Sequence, residues 1–269
     1  MNKSFMNIAH RGASGYYPEN TMTAFRKALD MGFHWIECDV RLTKDKQVVV
    51  VHDRTVDRTT NAVGEVSSFT LAEIQKLDAG SWFGPKWAGE TIPTLEELLL
   101  FMKERKAKLV IEIKDGISFP EIIEMALSMV DAADMKEAVT ISSFNWEVLE
   151  QVRRLDPEIS TSALILFDRN ADKHYVMRDS GRAPVYSSVT DLLKDCLDRK
   201  VHIVCPPAQE TTLDMVTQFH ERGILVRVWG LKKLSDHQLE NLLRMGIDGA
   251  TADYPDQLET KLRELMAQS

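Results

Sequence analysis

Eight short apolar runs recur along the chain, each followed by a turn and an amphipathic stretch, and this beat limits the fold more than any other feature. The runs are FMNIAH, HWIECDV, KLVIEI, EAVTIS, TSALIL, VHIVCP, ILVRVW and IDGATA. Between them lie segments of helical period such as TLEELLLFMKERK, PEIIEMALSMVDAA, WEVLEQVRRL and TLDMVTQFHERG. Apolar runs alternating with helical patterns indicate βαβ units around a parallel sheet. Eight such units in 269 residues fit an α/β fold of the (β/α)8 barrel type better than a doubly wound sheet. A chain of this length can be one barrel domain, residues 1–269. Apolar residues make up 44% of it and charged residues 28%, enough for an ordinary core without staples.

Two segments leave the beat. From about Arg54 to Ile92 there is no clean repeat, and this stretch reads as an insertion or small cap after the second strand. Its Trp82, Phe83 and Trp87 are expected to form the insertion's own small core. The connection from Phe167 to Val189 has weak periodicity and reads as irregular, with a short helix. Long connections in compact domains are commonly functional, and on a barrel they overhang one face.

The chemistry gathers where strands end. In IECDV, alternation puts Glu37 and Asp39 on one face of a strand. In IEIK, Glu112 and Lys114 share a face by the same rule. Acids crowded together away from water are costly unless a cation sits among them. At strand ends they make a site for a hard divalent cation, with Mg²⁺ and Ca²⁺ the candidates. His10 and Arg11 follow the first apolar run, and His52 follows four valines in VVVVHD. A parallel barrel brings its strand ends to one mouth, where active sites are built. Nearby, Asn20 reads as the N-cap of the TMTAFRKALDMG helix, Asp53 as a turn cap and Glu19 as a possible partner of Arg11.

The net charge of −8 argues against non-specific nucleic-acid binding, so an anionic substrate must be met by local cations. Three cysteines, Cys38, Cys196 and Cys205, show no paired spacing. There is no signal-peptide pattern and no apolar run of the ~20 residues a membrane span needs. The expectation is a cytoplasmic protein acting on a small molecule.

The motifs HRG, PENT, ECDVRLT, VVVVHD, RTT, IPTLEELL, IEIK, SSF and GIDGATADYP, in that order, resemble the glycerophosphodiester phosphodiesterase family along nearly the whole chain. The resemblance implies a TIM barrel with a small insertion after the second strand, and a divalent metal held by Glu37, Asp39 and Glu112. It further implies His10 and His52 as the acid–base pair, with Arg11 and Lys114 on the phosphate. The family's WTVN near the seventh strand is here WGLK, which keeps Trp229 as an apolar wall for glycerol but puts Lys232 in place of an Asn. Where the family often has glycine, TKDKQ has Lys46. Two other readings compete. A lysophospholipase D would want an exposed apolar lip, and none is visible. A non-catalytic phosphate-ester-binding barrel should have lost a histidine or a metal carboxylate, and none is missing.

Overall fold

The structure, a computed structural model, describes residues 5–114, 120–168, 174–178 and 181–268. Its strands are β1 (Met6–Ala9), β2 (Trp35–Leu42), β3 (Val48–Val50), β4 (Lys108–Ile113), β5 (Val139–Ser143), β6 (Ser160–Leu164), β7 (Leu166–Phe167), β8 (His174–Arg178), β9 (Gly181–Tyr186), β10 (Ile203–Cys205), β11 (Leu225–Val228) and β12 (Gly249–Ala252). Its helices are α1 (Met22–Asp30), α2 (Leu71–Ile74), α3 (Leu95–Glu104), α4 (Glu121–Ala132), α5 (Trp146–Leu155), α6 (Val189–Asp198), α7 (Leu213–His220), α8 (Asp236–Arg244) and α9 (Pro255–Ala267).

Eight parallel strands pair in the order β1-β12-β11-β10-β6-β5-β4-β2, and β2 pairs β1 to close the ring. This is a (β/α)8 barrel, and each of the eight apolar runs holds one of its strands. Strand alternation sorts the residues. On β2, Ile36, Cys38, Val40 and Leu42 join the core that packs against the helices, leaving Glu37 and Asp39 on the other face. On β4, Leu109, Ile111 and Ile113 do the same and leave Glu112 inside. The acidic face of HWIECDV is therefore the barrel lumen rather than a wet outer face.

The structure corrects four details. The VVVVHD stretch is not a parallel barrel strand: β3 runs antiparallel to β2, with Val48 opposite Leu42 and Val50 opposite Val40. Its end nevertheless returns to the mouth, because Val51 N donates to Asp39 O at 2.9 Å. The N-cap of α1 is Thr21, whose hydroxyl accepts from Ala24 N, and Asn20 takes a positive φ of 57° just before it. Among its described residues the Phe167–Val189 connection carries strands and no short helix, with β7, β8 and β9 forming a separate three-stranded sheet. In the 54–92 segment the core is Val56, Val66, Ile74, Ala79 and Ile92, joined by Val49 and Val51. Trp82, Phe83 and Trp87 lie outside that cluster. Trp82 and Phe83 meet edge to face, and Trp87 packs edge-on against Tyr17.

Candidate active site

After β1 the chain turns through two left-handed residues, Arg11 (φ 54°) and Gly12 (φ 80°). A Cβ on Gly12 would sit 2.6 Å from the Ala24 backbone, so only glycine lets α1 approach this closely. The turn aims the Arg11 N–H at Glu37 Oε2, 2.9 Å away. The Arg11 guanidinium meets Glu19 at 2.7 Å and Asp39 at 3.1 Å. Burial pulls its pKa down, but Asp39 and Glu19 outweigh burial and hold it raised.

Glu37, Asp39 and Glu112 are all buried, and ligand oxygens from the three lie within 4.8 Å of one another. Asp39 and Glu112 are register partners on β2 and β4, which places their side chains at one level of the lumen. Lys114 Nζ sits 2.6 Å from Glu112 and 3.1 Å from Asp39. Asn20 Nδ2 donates to Asp39 Oδ2 at 2.9 Å, so its left-handed backbone serves the site. Burial raises the Asp39 pKa, but Lys114 and Arg11 overcome it and hold the carboxylate well below its usual range. At Glu37 the nearby His10 and Arg11 do not offset burial and the Asp39 charge, which push it up to about 7. Among the described buried side chains, Asp39 Oδ1 accepts no hydrogen bond despite the nearby ammonium. A crowded carboxylate set with an unsatisfied oxygen fits a divalent cation, which would relieve both conditions.

Each mouth histidine is held by an aspartate. His10 Nδ1 lies 2.6 Å from Asp253 Oδ1, and its Nε2 is 4.0 Å from Glu37. His52 Nδ1 lies 2.6 Å from Asp53 Oδ1. Arg41, buried on β2, donates from Nε to His52 O at 2.8 Å and fixes the backbone there. With Nδ1 engaged, Nε2 of each ring is the nitrogen left for a substrate. Arg58, from the insertion, ties these parts together. It reaches Asp53 at 2.6 Å and both oxygens of Glu19 at 2.7 and 2.8 Å. A continuous charge chain thus runs Arg11–Glu19–Arg58–Asp53–His52.

All eight residues singled out from sequence converge here except that Asp39 contributes from beneath. His10, Arg11, Glu37, His52, Glu112, Lys114 and Trp229 line one cavity of about 270 Å³. Its far wall is Phe144, Leu164 and Trp229, with the Phe144 and Trp229 rings edge to face at 5.5 Å. A second cavity of about 340 Å³ shares His10, Arg11, Lys232 and Asp253 and extends toward Trp82 and Phe83 of the insertion.

A sequence profile of the glycerophosphoryl diester phosphodiesterase family matches residues 10–257. The chain belongs to that family. A glycerophosphodiester phosphodiesterase of Caldanaerobacter subterraneus subsp. tengcongensis is 36% identical over 261 residues, covering 96% of this chain and 97% of that protein. Among solved structures, a glycerophosphodiester phosphodiesterase from Agrobacterium tumefaciens superposes with a TM-score of 0.74 at 25% identity, covering 94% of this chain and 98% of the other. An Oleispira antarctica phosphodiesterase, solved with the product sn-glycerol-3-phosphate, gives 0.78 at 26% identity, covering 95% and 96%.

Within this phosphodiesterase, three site residues escaped the sequence reading of roles. Asp253 directly follows β12, so the strand-end rule that selected His10 would have found it. Arg58 lies in the RTT motif, but its target is set by the fold of the insertion. Arg227 lies on β11 two residues before Trp229, which directly follows the strand, so alternation could have marked it.

Proposed function

We propose that the protein hydrolyses glycerophosphodiesters to sn-glycerol 3-phosphate and an alcohol, with a divalent cation bound by Glu37, Asp39 and Glu112. One observation carries this reading: two histidine–aspartate pairs border the same cavity as a buried cluster of three carboxylates. When bound, the cation, Mg²⁺ or Ca²⁺, supplies fixed positive charge at the phosphoryl oxygens and favours deprotonation of an attacking hydroxyl. Arg11 and Lys114 add permanent cations beside the same carboxylates, where charge develops as the ester is cleaved.

His10 and His52 serve as base and acid. Asp253 and Asp53 keep each Nδ1 occupied, so each ring works through Nε2. One ring accepts the proton of the attacking oxygen and the other protonates the departing alkoxide. Water or the glycerol 2-hydroxyl can be the attacking group, and both routes need this same pair. Phe144, Leu164 and Trp229 give glycerol carbons an apolar wall, while the second cavity by Trp82 takes the alcohol being released and limits its size. The product bound by the Oleispira antarctica phosphodiesterase supports the product class. Cys38, Cys196 and Cys205 are free and buried, which supports a reducing, cytoplasmic setting. No described helix is long and apolar enough to cross a membrane.

The test is release of sn-glycerol 3-phosphate from a headgroup series, run beside a lysolipid and bis(p-nitrophenyl) phosphate. Broad use of small headgroups is expected. Preference for the lysolipid would make the protein a lysophospholipase D, and equal use of the glycerol-free diester would remove the glycerol requirement.

A further inference from the structure

Arg227 is buried at 3% exposure and its guanidinium borders the main cavity. Among the described residues its hydrogen-bond partners are all neutral. Nε donates to Cys205 Sγ at 3.2 Å, and Nη2 donates to Ser162 Oγ at 3.2 Å and Ser142 Oγ at 3.3 Å. Ser142 in turn donates to Ser162 O, so these hydroxyls form a fixed cradle. Among the described residues no carboxylate comes within ion-pair distance of Arg227, whereas Arg11 and Lys114 in the same lumen each have two. Nη1 takes no acceptor among the described residues, nor is it among the fully buried atoms lacking one, so it faces the cavity.

A buried guanidinium is costly unless its donors are satisfied, and it offers donors only. What completes this one must bring oxygen acceptors into the part of the cavity walled by Phe144, Leu164 and Trp229. A three-carbon polyol does so: its carbons lie on the aromatic edges and its hydroxyl oxygens accept from Nη1. We propose that Arg227 is the specificity-determining residue for the glycerol arm, reading the terminal hydroxyl farthest from the phosphate. The assignment rests on the glycerophosphodiester reading above.

The test compares two diesters of the same alcohol, one built on glycerol and one on 1,2-propanediol, which lacks the terminal hydroxyl. The readout is the ratio of their kcat/KM values. A charge-assisted hydrogen bond predicts a wild-type preference of about 10- to 100-fold for glycerol. In Arg227→Met that preference falls to near one, whatever happens to absolute activity, because a purely structural role would scale both substrates alike. Should Arg227→Met fail to fold, Arg227→Lys, which keeps the charge but shortens the reach, is expected to lose most of the preference. Wild-type activity with an undiminished ratio in the variants overturns the assignment alone. A wild-type protein inactive on every glycerol diester overturns the function and this assignment with it.

Discussion

His10 and His52 are each tied through Nδ1 to a neighbouring aspartate at 2.6 Å, so on the proposed mechanism Nδ1 would fix orientation and Nε2 would transfer the proton. Replacing either ring with alanine should lower kcat by at least ~10²-fold, with KM moving less and the fold kept. Asp253→Asn is the finer probe, because it leaves the His10 ring in place. An amide can present its N–H to Nδ1 and favour the wrong tautomer, so kcat is expected to drop by roughly 10²-fold as well. Steady-state kinetics with circular dichroism on the same samples decide the matter: near-normal kcat in His10→Ala or His52→Ala would make that histidine structural. The remaining residues of the mouth show how tightly this corner is specified. Arg11 and Asn20 both hold left-handed backbone, a conformation non-glycine residues rarely adopt, and both do so to reach Asp39 or Glu37.

At the scale of elements, the insertion adds a polar clamp to its small apolar core. Asp78 clamps one of its loops, accepting from Ser81 N at 2.8 Å, Gly80 N at 2.9 Å and Gly89 N at 3.1 Å. The backbone N–H of Ser81, with its hydroxyl and the other two amides, holds the Asp78 pKa well below the usual carboxylate value. A depressed folded pKa stabilises above the unfolded value of about 3.9 and loses that stabilisation as pH falls toward the folded one. Wild type should therefore have a higher Tm than Asp78→Asn at neutral pH, and the gap should narrow as pH drops below about 4. A gap independent of pH would mean the carboxylate charge does not hold the loop. Elements also set the limits of reading the sequence. The eight barrel strands were legible as apolar runs spaced by helical periods, and alternation within IECDV and IEIK gave the three inward carboxylates. The direction of β3 was not, since four consecutive valines carry no alternation. The signal lay in the turn before it, where Thr43 O accepts from Lys46 N and Lys46 takes a φ of 60°, the kind of position the family fills with glycine. The partners of Arg58 and Arg227 depend on which loops and strands meet across the mouth, and local pattern does not encode that.

For the molecule as a whole, a cation bound among the buried carboxylates would couple binding to stability. Without a cation Glu37 is pushed up to about 7 by burial and by Asp39, so part of the cluster's repulsion is carried by the folded state. Adding Mg²⁺ or Ca²⁺ to chelator-treated protein should raise Tm, by the equivalent of about 2.7 kcal/mol at a hundred times Kd. Activity should return in parallel, and Glu37→Gln or Glu112→Gln should blunt both responses. Unchanged Tm across a metal titration would argue against the site. The barrel is sealed by β12 lying between β11 and β1, and His10 finds Asp253 from 243 residues away. On the ribosome this arrangement has a consequence. Until residues 249–252 emerge, β1 and β11 are raw edges of an unsealed sheet, open to pairing with another nascent chain. The same missing segment leaves His10 without its aspartate. On the proposed mechanism, chains in that vulnerable interval would lack a complete catalytic mouth, and the step that hides their edges would also be the one that switches them on.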